Sequence, residues 1–338
     1  MRHPPLQKGW IDQTHHRVEL GDFQLENGQT VHDAFLSYVV HGNLDSKKPV
    51  VLGLTAIAST HHRLDFLTGS GLAIDPSRYT LIVIDAIGNG LSISPSNSKR
   101  QHGMTFPKFS IRDMVHSQKK ALDQLKINKL YAVIGASMGG MQALQWAVSY
   151  PSLMERIVAM TPMAKTSAWA QLLNETSRKI LMSHPRWQSN DPECWNAWIP
   201  LMQMINSRTP QLWDKQLPRF DDVKNEIQNK TNSWQMQEFS PFDWIYQSLA
   251  YDHHDVGQTT GMNLDTEFAL KQIKAQTLVL APPLDLYNPA YCARWASQHI
   301  ADCRFIEIDS EWGHQSASAA DHACSVFLNN CIGQFLKN

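Results

Sequence analysis

Short apolar runs alternate with amphipathic stretches along most of the chain after residue 50. The apolar runs predict six β-strands, at Val50–Ala56, Tyr79–Ala86, Leu130–Ala136, Arg156–Ala164, Thr277–Leu280 and Arg304–Ile308. Apolar residues at helical spacing predict helices at Ile111–Leu125 and Met138–Ser149, near Pro289–His299, and from about Ser318 to Leu336. The strands are almost continuously apolar, which favours a mostly parallel central sheet flanked by helices on both faces. This is the arrangement of an α/β protein.

This rhythm is interrupted between residues 165 and 270. The segment contains no convincing strand and carries seven of the eleven tryptophans, namely Trp169, Trp187, Trp195, Trp198, Trp213, Trp234 and Trp244. We therefore expect a helical insertion at 165–270 between a first part of the α/β core, residues 1–164, and a second part, residues 271–338. Over an active site, such an aromatic-rich insertion would form a lid lined by apolar surface.

The composition excludes several classes of protein. Of the 338 residues, 43% are hydrophobic and 18% are charged, which excludes a disordered chain. Thirty Lys and Arg balance 31 Asp and Glu, so there is no basic excess for binding nucleic acid or an anionic membrane. No apolar stretch approaches the ~20 residues that span a bilayer, and residues 1–20 lack the apolar core of a signal peptide. We expect a soluble, cytoplasmic protein.

The cysteines and histidines give no sign of a metal site or a disulfide framework. The five cysteines are odd in number and have no CxxC spacing. Three histidine pairs occur, at His15-His16, His61-His62 and His253-His254. Adjacent side chains point apart on a strand or a helix, so we expect neither a shared ligand face nor a bound metal.

One short motif carries chemistry. The sequence Gly135-Ala136-Ser137-Met138-Gly139 is a G-x-S-x-G motif that follows a predicted strand and opens a predicted helix. In that context the glycines leave room for a sharp turn, and the turn exposes the serine hydroxyl above the edge of the sheet. The motif predicts that Ser137 is a nucleophile.

A serine needs an adjacent base, and the base needs an orienting acid. If the chain order is serine, acid, base, the acid and the base should follow late strands. Asp285 lies just after the strand Thr277–Leu280, and His314 lies just after Arg304–Ile308. His322 falls inside the last predicted helix and is a poor alternative. We predict Asp285 as the acid and His314 as the base.

The reaction also needs two N–H donors for an oxyanion. The backbone N–H of Met138, at the start of the helix after Ser137, supplies one. The second donor should come from the loop after Val50–Ala56, where Leu54 and Thr55 are both candidates. The sequence does not choose between them.

The residues from Phe106 to Ala164 closely resemble the homoserine O-acetyltransferase family of α/β-hydrolase-fold enzymes. The resemblance returns at three later segments, Asp252–Gly257, Asp285–Pro289 and Ile308–His314, and it covers most of residues 35–335. It implies an α/β-hydrolase fold. It also carries the family's nucleophile, acid and base onto Ser137, Asp285 and His314, and its oxyanion donors onto Met138 and Leu54. The family often dimerises through its lid, so a homodimer is one expected assembly.

Two positions differ from the family pattern or match it weakly. The family usually follows its base with an aspartate that helps to hold the substrate ammonium group, but here Gln315 occupies that place and has no full negative charge. Arg208 corresponds weakly to the family's lid arginine, which would clamp a substrate carboxylate. An ordinary surface arginine is the alternative.

These observations lead to one favoured function and two alternatives. We expect acyl transfer from a small-molecule ester or thioester through an acyl-Ser137 intermediate. The loss of an acceptor anchor at Gln315 favours a carboxylic-ester hydrolase over a homoserine O-acetyltransferase or related O-acyltransferase. A non-catalytic binding protein of the same fold is the third reading. We expect no cofactor, and acyl-CoA would serve only as an acyl-donor substrate.

Overall fold

The computed structural model describes residues 3–337. Eight strands form one sheet in the order β1-β2-β4-β3-β5-β6-β7-β8. β1 pairs antiparallel with β2 and β2 antiparallel with β4, whereas β3 to β8 run parallel. The strands are β1 His16–Gln24, β2 Thr30–His41, β3 Val50–Leu54, β4 Thr80–Ile84, β5 Leu130–Ala136, β6 Met154–Met160, β7 Gln276–Ala281 and β8 Cys303–Glu307.

Ten α-helices accompany the sheet in the described part of the chain. Six of them, α3 to α8, lie between β6 and β7. The helices are α1 Ile111–Gln124, α2 Met138–Ser149, α3 Ala168–Met182, α4 Trp198–Asn206, α5 Pro210–Gln216, α6 Phe220–Gln235, α7 Pro241–Asp252, α8 Thr266–Lys271, α9 Ala290–Gln298 and α10 His322–Lys337. The division of the chain into domains at residues 164 and 270 stays a prediction.

Helices cover both faces of the sheet, as the apolar strands predict. Alternate residues of each central strand enter two separate apolar clusters. The cluster on one face contains Leu52 of β3 together with Leu144 of α2. The cluster on the other face contains Val51 of β3 and Ile332 of α10. Burial on both faces explains why these strands read as continuous apolar runs.

The six predicted strands and the four predicted helices are all present, with ends that differ by a few residues. The largest difference is in β6, predicted at Arg156–Ala164 and found at Met154–Met160. The strand ends at Met160 because the backbone turns at Thr161, whose φ is 47°, although apolar residues continue to Ala164. The antiparallel strands β1 and β2 were not predicted. β1 alternates exposed and buried positions, so it has no apolar run.

None of the helices between residues 3 and 337 combines the length and the hydropathy of a membrane span. All five cysteines are free thiols.

Candidate active site

Ser137 occupies a strained turn between β5 and α2. Its backbone has φ 58° and ψ −123°, a conformation that non-glycine residues rarely adopt. The backbone N–H of Ser137 donates to the carbonyl of Met160 at 2.9 Å, which fixes the turn against β6. A Cβ atom on Gly135 would lie 2.2 Å from the carbonyl oxygen of Gly139, and one on Gly139 would lie 2.7 Å from that of Leu54. Both glycines of the motif are therefore required, because neighbouring backbone atoms leave no space for a Cβ atom at either position.

The structure brings together the three residues predicted as nucleophile, base and acid. Ser137 Oγ lies 2.7 Å from His314 Nε2, and His314 Nδ1 lies 2.7 Å from Asp285 Oδ2. All three side chains are buried. With its Nδ1–H donated to the carboxylate, His314 presents Nε2 as the acceptor of the Ser137 hydroxyl proton; this tautomer is assigned from the hydrogen-bond partners.

Two backbone hydrogen bonds fix the carboxylate of Asp285 in addition to its contact with His314. Its Oδ1 atom accepts the backbone N–H groups of Tyr287 at 2.9 Å and Asn288 at 2.8 Å. The Asn288 side chain in turn donates to the Thr161 carbonyl at 2.7 Å and accepts from the Tyr251 hydroxyl. These contacts connect the loops after β6 and β7 and fix the carboxylate on the side of the imidazole away from Ser137.

Sequence reasoning missed the bracing roles of Tyr251 and Asn288. Tyr251 is fully buried in α7, and burial raises its pKa well above the usual value, so its hydroxyl stays protonated. The ring of Tyr287 meets the His314 imidazole edge to face, with centroids 5.1 Å apart. The only signal available in the sequence was that Tyr287 and Asn288 lie two and three residues after Asp285.

The residues predicted to bind an oxyanion lie at the start of α2 and at the end of β3. Met138 is the first residue of α2, where a backbone N–H has no partner within the helix. Leu54 ends β3, and Thr55 follows it. The Thr55 hydroxyl accepts from Ala86 N at 3.2 Å, and its carbonyl accepts from Gln142 at 2.9 Å. These contacts hold the loop in place, and the choice between the two N–H groups stays open.

A cavity of about 150 Å³ opens over Ser137 and His314. The insertion contributes an apolar wall made of Trp198, Met202, Trp234 and Trp244. The indole of Trp198 lies 5.1 Å from that of Trp234 and 5.2 Å from that of Trp244, measured between ring centroids. The tryptophan-rich segment thus lies over the site, as a lid would.

Gln315 lines this cavity, but Arg208 is not among the lining residues. The Arg208 side chain is only 11% exposed and forms an ion pair with Glu226 at 2.8 Å. Its guanidinium also lies over the rings of Trp213 and Trp312. It is therefore neither a free surface arginine nor an unpaired clamp at the cavity, because its charge is already neutralised.

The sequence matches the family described as alpha/beta hydrolase fold over residues 49–193. The structure also superposes with a TM-score of 0.87 on an acetylester hydrolase from Corynebacterium glutamicum, over 96% of both chains and at 23% identity. The chain has the α/β-hydrolase fold.

Within this fold the chain is similar to homoserine O-acetyltransferases. It is 28% identical to the one from Methanosalsum zhilinae over 95% of this chain and 74% of that protein. It is 29% identical to the one from Leptospira biflexa over 86% of each chain. The acetyl esterase MekB is 25% identical, with a TM-score of 0.85 over 96% of this chain and 97% of MekB. The comparisons support an enzyme of this superfamily, an esterase or an acetyltransferase.

Proposed function

We propose that the protein hydrolyses a small carboxylic ester through an acyl enzyme on Ser137. The observation that carries the proposal is the continuous contact from Ser137 Oγ through His314 to Asp285, with both distances at 2.7 Å. A serine hydroxyl is a weak nucleophile until a base takes its proton, and the base works only in one tautomer and orientation. The two contacts meet both requirements.

In the first half of the reaction, Ser137 Oγ attacks the carbonyl carbon of the ester. The hydroxyl proton passes to His314 Nε2, and Asp285 stabilises the imidazolium that forms. The negative charge moves to the carbonyl oxygen. This oxygen accepts hydrogen bonds from the backbone N–H of Met138 and from that of Leu54 or Thr55. One such donor contributes about 2.7–4 kcal/mol in the transition state. Collapse expels the alcohol, which takes the proton from His314 and leaves acyl-Ser137.

In the second half, water replaces the alcohol. His314 takes one proton from the water as its oxygen attacks the acyl carbon, and the same oxyanion donors bind the second tetrahedral intermediate. Collapse releases the carboxylic acid and returns the proton from His314 to Ser137 Oγ. Every step uses side chains and backbone groups of this chain, and the mechanism requires no resident cofactor.

Two observations favour water over an amino-acid acceptor. Gln315 lies in the cavity where the homoserine acetyltransferase pattern has an aspartate, so a substrate ammonium group lacks that partner. A charge-assisted hydrogen bond of this kind contributes about 1.5–3 kcal/mol. The similarity to an acetyl esterase at 25% identity supports the same choice.

The second candidate is an O-acyltransferase that takes its acyl group from acyl-CoA. The observation that favours it is the 28–29% identity to homoserine O-acetyltransferases over most of the chain. It shares every step up to acyl-Ser137 and differs only in the second nucleophile. The predicted homodimer is compatible with either candidate.

Product partition separates the two candidates. Purified protein is given p-nitrophenyl acetate or acetyl-CoA, with and without L-homoserine, and the products are measured by mass spectrometry. The hydrolase predicts acetate as the product at a rate that homoserine does not change. O-Acetylhomoserine formed at the expense of acetate would identify the transferase. A failure to consume either donor, together with no labelling of Ser137 by a fluorophosphonate, would favour a non-catalytic protein.

A further inference from the structure

Four imidazoles meet where the N-terminal arm, residues 3–15, crosses the short 3-10 helix His61–Leu67. The ring centroids of His15 and His61 lie 4.6 Å apart, and those of His3 and His62 lie 5.0 Å apart. One ring nitrogen from each of His3, His15 and His61 lies within 4.8 Å of the other two.

The expectation that adjacent histidines point apart holds for one pair here and is wrong for the other. His16 turns away from His15 and stacks on Tyr38. The rings of His61 and His62, in contrast, lie only 4.2 Å apart. A 3-10 helix has three residues per turn, so neighbouring side chains diverge by about 120° rather than by the 180° of a strand.

His61 is prepared as a ligand by a buried carboxylate. Its Nδ1 atom lies 3.1 Å from Asp85 Oδ2, and both side chains are fully buried. Asp85 is fixed by the His61 backbone N–H at 2.9 Å and by the Asn89 amide at 2.8 Å. The Nδ1–H is thus donated to Asp85, which leaves a lone pair on Nε2. That buried atom has no hydrogen-bond partner among residues 3–337. A carboxylate behind the far nitrogen is typical of metal-binding histidines.

A second carboxylate–histidine pair orients His3. His62 Nδ1 lies 2.6 Å from Asp65 Oδ2, and His62 Nε2 lies 2.9 Å from His3 Nε2. The ring of Trp10 stacks on His62 at a centroid distance of 4.1 Å. Asp65 also accepts the backbone N–H of Ile11 at 2.8 Å. The arm is therefore fastened to the helix at His3, Trp10 and Ile11.

We propose that His3, His15 and His61 bind a zinc ion. Neutral imidazoles are good ligands for Zn²⁺, and three of them leave the fourth tetrahedral position to water. Tetrahedral coordination at Zn–N distances of about 2.0–2.1 Å places ligand nitrogens ~3.3 Å apart, so the arm moves slightly inward on binding. The ion would fasten residues 3–15 to the 3-10 helix His61–Leu67, whose Arg63 lines the active-site cavity.

The test uses untagged, metal-stripped protein titrated with Zn²⁺ against a chromophoric chelator, with the melting temperature measured in parallel. We expect one zinc per chain and a higher melting temperature with zinc. His15→Gln should weaken binding at least tenfold, and this exposed residue can be replaced without disturbing the core. His16→Gln is the matched control and should bind zinc like the wild type. No zinc binding by the wild type, or equal binding by the two variants, would overturn the proposal.

A separate observation concerns Arg63, on the same short helix. Arg63 lines the cavity that contains Ser137 and His314, and it also lines a neighbouring cavity of about 670 Å³. Its Nε atom is buried, and the guanidinium forms neither a hydrogen bond nor an ion pair with any residue from 3 to 337. Burial lowers its pKa to about 10, so it remains charged at neutral pH.

Two other arginines near the site, Arg178 and the half-buried Arg208, are both neutralised. Arg178 pairs with Asp252 at 2.6 Å and with Glu175 at 2.9 Å, and Arg208 pairs with Glu226. Arg63 is itself half-buried, and an unpaired charge at a partly desolvated position is costly unless a partner binds there. The guanidinium of Arg63 presents several N–H donors, which suit the two oxygens of a carboxylate.

We infer that Arg63 binds a carboxylate on the ester substrate, an inference that rests on the proposed function. The substrate class is then an ester that carries a negative charge on its acyl or alcohol part. Arg63 thereby takes the anion-binding role that the sequence suggested for Arg208.

The test compares 3-acetoxybenzoate with its neutral counterpart 3-acetoxybenzamide. The wild type should favour the anionic ester, and Arg63→Gln should lower the ratio of the two kcat/KM values at least tenfold. Arg63→Lys should lower it less. An unchanged ratio in Arg63→Gln, or turnover of p-nitrophenyl acetate without turnover of the benzoate, would overturn this inference alone. No turnover of any of the three esters would contradict the proposed function itself.

Discussion

The Nε2 atom of His314 lies 2.7 Å from the Oγ atom of Ser137, although 177 residues separate them along the chain. They meet because each follows the carboxyl end of a parallel strand, β5 for Ser137 and β8 for His314. The carboxyl ends of parallel strands share one edge of the sheet, where α/β proteins place their ligands. Asp285 follows β7 and reaches the same edge.

Asp285→Asn should lower kcat strongly, by roughly 10⁴-fold, with little effect on stability. The amide can still accept the N–H groups of Tyr287 and Asn288, but it no longer fixes the tautomer of His314 or stabilises its charged form. Steady-state hydrolysis of p-nitrophenyl acetate measures the effect. Asp309→Asn, at an exposed carboxylate between β8 and His314, is the control and should keep wild-type kcat. Equal rates for the two variants would contradict the role of Asp285.

Gly135→Ala should destabilise the fold by several kcal/mol and abolish activity. Its Cβ atom would lie 2.2 Å from the backbone oxygen of Gly139, so the turn that holds Ser137 must shift. Gly333→Ala is the matched control because its Cβ in α10 meets nothing closer than 3.5 Å. It should be neutral or slightly stabilising, since alanine favours a helix over glycine by up to about 1 kcal/mol. Urea unfolding would measure both, and similar losses would contradict this account of the turn.

Gln315→Asp should raise the fraction of acetyl groups transferred to L-homoserine, about tenfold or more. The new carboxylate would stand in the cavity beside His314 and bind the acceptor's ammonium group. Gln315→Asn has the same length as aspartate but no charge, and should leave the partition near the wild-type value. The measurement is the ratio of O-acetylhomoserine to acetate. If both variants give the same ratio, the missing charge does not explain the preference for water.

Asp243 should make stability fall as the pH rises from about 4 to 7. Burial raises its pKa to about 7, and the carboxyl contacts the backbone N–H of Ser96 at 2.9 Å and the Ser96 hydroxyl at 2.5 Å. Between its unfolded pKa near 4 and the folded value, the native state holds a proton that the unfolded state has lost. Stability therefore decreases by up to about 1.4 kcal/mol per pH unit and levels off above pH 7.

Asp243→Asn provides the comparison for that titration. The amide resembles the protonated acid, since its oxygen accepts from the backbone of Ser96 and its NH₂ group donates to the hydroxyl. The free energy of unfolding of the variant, relative to the wild type, should rise from pH 4 to 7. Parallel pH profiles for the two proteins would show that Asp243 does not titrate in this range.

The sequence allowed much of the parallel core to be predicted because its signals are local. β3 to β8 are buried on both faces and so appear as apolar runs. β1 and β2 pair antiparallel at one side of the sheet, and the solvent-facing positions of β1 break its apolar pattern. The turn at Ser137 was also predictable, because its two glycines and the strand before it lie within a few residues.

The rest of the site depends on contacts between distant segments. Tyr251 reaches Asn288 from α7, and Glu226 of α6 neutralises Arg208. Neither contact has a local sequence pattern. The same is true of the histidine cluster, where His3 of the N-terminal arm contacts His62, 59 residues later in the chain. Only the packing of the arm shows which histidines are neighbours.

The most direct test of the central claim is the detection of an acyl group on Ser137. Protein mixed with excess p-nitrophenyl acetate is quenched in acid after a few milliseconds, digested and mapped by mass spectrometry. The account predicts one acetyl group on the peptide that contains Ser137, formed as fast as the burst of p-nitrophenol. The Ser137→Ala variant should carry no acetyl group there. It should melt at nearly the wild-type temperature. Turnover retained in Ser137→Ala, or an acetyl group that accumulates at another residue at the burst rate, would contradict it.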